Sequence, residues 1–110
     1  MQKPRRFGQV IGIAPEAIET YCRYHAALWP DLVPVLKEAG LANYSIFLKD
    51  DRLFAFFEYH GENFEQDMAK VAAHPRIKEW WAIMEPMQRP LATRAPGEWW
   101  ANMQEVFRLD

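Results

Sequence analysis

Cysteine is almost missing from this chain. Cys22 is the sole one among 110 residues, so no intrachain disulfide can form and no paired-cysteine metal spacing exists. Such a lone thiol reads as a small helix filler, and a cytoplasmic setting is the expectation. Histidine is scarce too. His25, His60 and His74 lie far apart with no His-x-x-His pair, so no metal is expected. The five glycines build no phosphate loop. GQVIG fits neither G-x-G-x-x-G nor G-x-x-x-x-G-K, which leaves a nucleotide or flavin cofactor without support, and no cofactor is expected. Neither sign of charge is in marked excess. Thirteen basic and 15 acidic residues are spread along the chain for a net charge of -2, and the only basic cluster is KPRR at 3–6. Nucleic acid is therefore not an expected partner. No apolar run is long enough for a membrane span, so no membrane is expected either. The start, MQKPRRFGQVIGI, loosely mimics a signal peptide. Its apolar part is short and broken by Gly8, Gln9 and Gly12, and it reads as a strand.

What is present suffices for one domain over residues 1–110. Half the residues are hydrophobic and 15% are aromatic, enough for a real core, though a domain of this size often buries more surface against a partner. RFGQVIGI at 6–13 alternates, with Phe7, Gln9, Ile11 and Ile13 on one face. Residues 14–28 contain good helix formers, with Pro15 in the first turn. PDLVPVLKEAG at 30–40 reads as a second short helix ended by Gly40. Residues 42–49 and 52–59 are strand-like and joined by Asp50-Asp51 as a hairpin. Residues 62–73 and 75–88 read as helices separated by His74-Pro75, 86–98 as a proline-rich loop, and 99–109 as a closing strand. The resulting βαββαβ order predicts an α+β, ferredoxin-like sandwich with helices on one face of an antiparallel sheet. Phe54 and Phe56 alternate with Ala55 and Phe57, so both faces of that strand are apolar. The face without helices needs a cover, and a homodimer is the simplest one.

One helix carries the chemistry. At helical spacing Ile18, Tyr21, His25, Leu28 and Trp29 form a single inward stripe. A histidine on an apolar stripe is more often a satisfied core residue than a catalyst. The alternative is a cleft wall where Tyr21 and His25 reach a ligand, since histidine titrates near neutrality and is the commonest general acid or base. Trp80 and Trp81 are adjacent on a helix and point about 100° apart, so one can enter the core while the other lines a cleft. An exposed indole face suits the C–H side of a sugar. Tyr44 lies in a strand, where packing is the plainer reading. Glu58 and Glu105 are carboxylates inside apolar strands, able to accept a proton or simply to face solvent.

The ordered segments Y-x-x-x-H-x-x-x-W-P (Tyr21 to Pro30), N-Y-x-I-x-L (Asn43 to Leu48), L-F-A (Leu53 to Ala55), W-W-x-x-M (Trp80 to Met84) and Q-E-V-F-x-L (Gln104 to Leu109) resemble the L-rhamnose mutarotase family. The resemblance implies a cytoplasmic, dimeric α+β barrel that needs no metal or cofactor. It implies interconversion of the α and β anomers of a 6-deoxy-hexose, a monosaccharide substrate. It implies that His25 is the proton donor, that Tyr21 and Tyr44 contact the sugar, and that Trp80 and Trp81, the family's tandem tryptophans, hold it with Tyr44 by stacking and hydrogen bonds. Tyr21 is the candidate catalytic partner of His25, with water or a carboxylate such as Glu105 as relay. APGEWWANM at 95–103 is more similar to relatives associated with L-fucose, and Tyr24 stands before the histidine where the family carries a basic residue. A cofactor-free monooxygenase and a non-enzymatic binding module of the same fold are the competing expectations. The first calls for a more apolar cleft, the second for a packed, inaccessible His25.

Overall fold

The alternation read in the first strand is present in the computed structural model, which describes residues 3–110. β1 (Arg5–Ile13) buries Ile11 and Ile13 on one face. Its long antiparallel partner is β3 (Arg52–Tyr59), which in turn pairs with β2 (Leu41–Lys49). On its other edge β1 meets two short strands, β4 (Gln88–Arg89) and β5 (Ala101–Met103). The order β2-β3-β1-β4 is the ferredoxin-like one that the βαββαβ pattern predicts. The two-residue hairpin between β2 and β3 needs no glycine, because Asp50 takes the left-handed conformation (φ 53°) that aspartate tolerates.

Four helices, α1 (Ile18–Ala26), α2 (Leu32–Glu38), α3 (Phe64–Ala73) and α4 (Pro75–Met84), supply the cover for one sheet face. Each contributes an apolar stripe. Ile77, Trp80 and Met84 recur at helical spacing on α4 and join Tyr21, Leu32 and Val71 over Ile11, Ile13 and Leu53. Gly40, at φ 93°, ends α2 as expected. Val10, Phe54 and Phe56 project from the opposite face and are only partly buried, and Phe47 beside them is 65% exposed. No helix among the described residues is long and apolar enough to cross a membrane.

Three expectations about element limits are corrected. The first helix is shorter: a 3-10 turn at Pro15–Ala17 precedes α1, which stops at Ala26. Leu28 therefore leaves the inward stripe and is 37% exposed. The helix from Pro75 ends at Met84, passes through a turn at Glu85–Met87, and gives way to β4 inside the stretch read as loop. Proline at 86 removes a helical N–H, and pairing with β1 satisfies the backbone instead. The closing strand shrinks to Ala101–Met103. Residues 104–110 form no regular element, and Val106, Phe107 and Leu109 are bare.

Two local devices set the site. A Cβ at Gly12 would lie 2.6 Å from the Arg89 carbonyl oxygen, so glycine is what lets β4 close against β1. On β2 the register slips between Ala42 and Ser45, so that Asn43 and Tyr44 together face the single residue Phe57. Asn43 sits at φ 51° and donates from Nδ2 to Glu58 Oε1 at 2.6 Å. The extra residue turns Tyr44 onto the helix-covered face. Left-handed backbone costs a residue with a Cβ about 1–2 kcal/mol, and asparagine offsets this through local hydrogen bonding. Asn43→Ala is accordingly expected to lower stability by about 1 kcal/mol or more, with Asn43→Gly recovering part of the loss. Urea unfolding midpoints check this. An Asn43→Ala chain as stable as the parent would mean that Asn43 does not hold the bulge.

Candidate active site

Helix α1 places Tyr21 and His25 one turn apart. Their rings stack at 4.4 Å. His25 Nδ1–H donates to the Tyr21 carbonyl at 2.9 Å, so the carbonyl fixes the ring's tautomer and leaves Nε2 for a ligand. The edge contact of Trp80, at 5.3 Å, limits the imidazole from the side. Trp80 is itself boxed by Tyr24 at 5.9 Å and Trp29 at 5.0 Å. The Trp29-Pro30 bend is held to the start of α4 by Arg76. Its guanidinium lies 4.0 Å over the Trp29 ring and donates from Nε to Asp31 Oδ2 at 2.6 Å.

The Tyr21 hydroxyl is reached from β4. Gln88, the one buried polar residue among those described, donates from Nε2 to Tyr21 Oη at 3.1 Å. Gln88 Oε1 accepts from Trp99 Nε1 at 2.7 Å. Burial raises the Tyr21 pKa, against the lowering effect of the Gln88 hydrogen bond. Tyr44 leans on Phe57, with ring centroids 5.1 Å apart. Burial, with Tyr21 adding to it, pushes the Tyr44 pKa up to about 12. Tyr44 is 43% open to solvent, so the crowding acts at its hydroxyl end. Both phenols therefore stay protonated at neutral pH, each with a hydrogen to donate.

The 90–100 segment is tied down by Glu98. Its Oε1 accepts from Ala95 N and its Oε2 from Asn102 Nδ2, both at 2.9 Å. Asn102 Oδ1 in turn accepts from Gln9 Nε2 on β1 at 3.0 Å.

Of the residues singled out in the sequence, Tyr21, His25 and Trp80 come together, and Tyr44 joins them through the bulge. Trp81 does not share the box around Trp80. It lies on the outer side of α4, 40% exposed. Glu105 pairs with Arg6, at 3.7 Å, on the face without helices, so it is no relay for His25. Glu58 lies on that face as well, held by Asn43. Gln88 and Trp99 were not singled out. A lone amide between Pro86 and Pro90 carries no periodic signal, and only the pairing of β4 with β1 aims it inward.

The model of the L-rhamnose mutarotase family matches residues 6–109. The chain belongs to this family. An L-rhamnose mutarotase of Lactiplantibacillus plantarum is 36% identical over 107 residues, covering 96% of this chain and 98% of the relative. An L-fucose mutarotase of Xanthomonas campestris pv. campestris is 36% identical over 96 residues, covering 84% of this chain and 76% of the relative. The crystal structure of an L-rhamnose mutarotase from Formosa agariphila superposes with a TM-score of 0.74 at 25% identity, covering 96% of this chain and 99% of that one. Tetracenomycin F2 cyclase from Streptomyces glaucescens shares the fold, with a TM-score of 0.68 at 16% identity over 96% of this chain and 99% of that one.

The Glu98 ties make the segment pH-sensitive. Hydrogen bonds, first from Ala95 N–H and then from Asn102, hold the carboxyl below its ordinary value of 4.5. A depressed carboxyl stabilises above that value and loses its effect as pH falls below it. The Trp99 indole N–H resonance is therefore expected to shift as pH drops below about 4.5, and to lose that step in Glu98→Gln. A step that survives the substitution would belong to another carboxyl.

Proposed function

We propose that this chain is an isomerase, a mutarotase that interconverts the α and β anomers of a 6-deoxy-hexose, with L-rhamnose the first candidate sugar. The observation that carries this reading is the Tyr21–His25 pair. A half-buried imidazole keeps Nε2 free beside a protonated phenol, in a member of the mutarotase family. Mutarotation needs no more than two such groups. As the C1–O5 bond breaks, one proton leaves the anomeric hydroxyl and one reaches the ring oxygen. The open-chain aldehyde turns about C1–C2, and closure on the other face returns both protons. His25 exchanges a proton at Nε2 and Tyr21 is its partner. Tyr44 holds the sugar, and Trp80 braces His25. A half-buried His25 favours an enzyme over a packed binding module. L-Fucose is the second candidate, on the likeness of residues 95–103 and on the L-fucose mutarotase among the relatives.

We further propose a cytoplasmic homodimer. This reading is supported by Phe47, Phe54 and Phe56 on the helix-free face and by the bare Val106, Phe107 and Leu109, apolar side chains that a second copy would cover.

NMR saturation transfer between the anomers tests the reaction. Exchange faster than in buffer is expected for L-rhamnose, L-fucose or both, and His25→Ala is expected to slow it by about 10²–10⁴-fold. If neither sugar exchanges faster with protein than without it, the reading fails. Light scattering at micromolar concentration is expected to give twice the chain mass, and a monomeric mass defeats the dimer.

A further inference from the structure

Tyr21 Oη can accept or donate, and nothing in the tyrosine itself decides which way its hydrogen points. Gln88 decides it. Indole Nε1–H is only a donor, so the Gln88 atom facing Trp99 at 2.7 Å must be the amide oxygen. That fixes the amide, and the NH₂ end must then face Tyr21. Tyr21 Oη is an acceptor toward Gln88, so its own hydrogen turns elsewhere. No other group among the described residues accepts it. The hydrogen is therefore left without an acceptor on a ring that stacks on His25.

We infer that Gln88, clamped by Trp99, is a positioning residue that makes Tyr21 a hydrogen-bond donor to the bound sugar. The role rests on the mutarotase reading above, but its physical basis does not. Gln88 meets Tyr21 only because β4 lies against Gly12 and Ile13 of β1, and Trp99 meets Gln88 only because Glu98 and Asn102 fold the preceding segment back. The device uses no charge. An amide of fixed orientation imposes a direction on a phenol and leaves it protonated.

The test reverses that direction while keeping the shape. In Gln88→Glu the carboxylate still accepts from Trp99 but can only accept from Tyr21, so the phenol turns its hydrogen inward. Anomer exchange is expected to fall to the level of Tyr21→Phe. The double variant, Tyr21→Phe with Gln88→Glu, should lose nothing further. Lowering the pH until the introduced carboxyl protonates should recover part of the rate, because a carboxylic acid can donate to Tyr21. A structural role for Gln88 would give the opposite pattern. Gln88→Glu would then depress exchange equally in the Tyr21→Phe background and show no recovery in acid, and that result overturns the inference. A readout independent of activity separates this from the mutarotase reading. Replacing Gln88 by Met removes the donor, so the Tyr21 ring carbon Cζ should titrate at higher pH by NMR. A Tyr21 titration unmoved by Gln88→Met also overturns the inference, whether or not either sugar exchanges. If Tyr21 moves as expected and wild-type protein exchanges neither sugar, the hydrogen-bond direction stands and the mutarotase reading falls.

Discussion

The close approach of two backbones at Gly12 is the constraint on which the site depends. β1 is the central strand, and the carbonyl of Arg89 lies where any side chain at position 12 would begin. Because that space is empty, β4 pairs with β1 and Gln88 comes to lie opposite Ile13 on the helix-covered face. From there the amide reaches Tyr21 on one side and Trp99 on the other. A strand of two residues thus joins the first helix, the sheet and the late loop. Shifting it would leave a buried amide with unpaired groups, at about 1–3 kcal/mol each.

The remaining walls are aromatic and are held by few polar groups. Trp80 is wedged among Tyr24, His25 and Trp29. Arg76 closes this box from outside, over Trp29 and against Asp31 and Glu79. These ion pairs are largely exposed and contribute little stability singly. Their effect is geometric: they hold the Trp29-Pro30 bend to α4, so that the edge of Trp80 meets the imidazole.

Much of this was legible in the sequence because helices carry their direction with them. A 3.6-residue period put Tyr21 and His25 on the inward side of α1, and the structure stacks them there. Strand residues are different. Their facing depends on register, and a one-residue slip reverses it. Alternation counted from Leu41 sends Tyr44 to the helix-free face, and only the bulge at Asn43 brings it back. Gln88 was hidden for a related reason. A two-residue strand between prolines has no period to read, and its direction comes from a partner more than 70 residues earlier. The strand expected over 99–109 finds no pairing partner among the described residues beyond Met103. A pattern of apolar residues at 106, 107 and 109 records only an exposed surface.

Two raised phenol pKa values explain why direction matters at this site. Burial raises the pKa of both Tyr21 and Tyr44, so neither carries a charge at neutral pH. What each offers is a dipole, and a dipole helps only if it points correctly. A free phenol divides its hydrogen between two in-plane positions at nearly equal energy, so half of its population points the wrong way. Turning the Gln88 amide over would set N–H against the Trp99 N–H and a carbonyl against Tyr21. That forfeits the Trp99 bond and leaves a buried donor unpaired, a penalty of about 2–4 kcal/mol. At about 1.4 kcal/mol per decade, the inverted amide is held to a few per cent or less. The indole of Trp99 therefore acts on Tyr21 without touching it, through one amide whose orientation it fixes. In a site built from neutral donors, that orientation takes the place that an ion pair would otherwise fill.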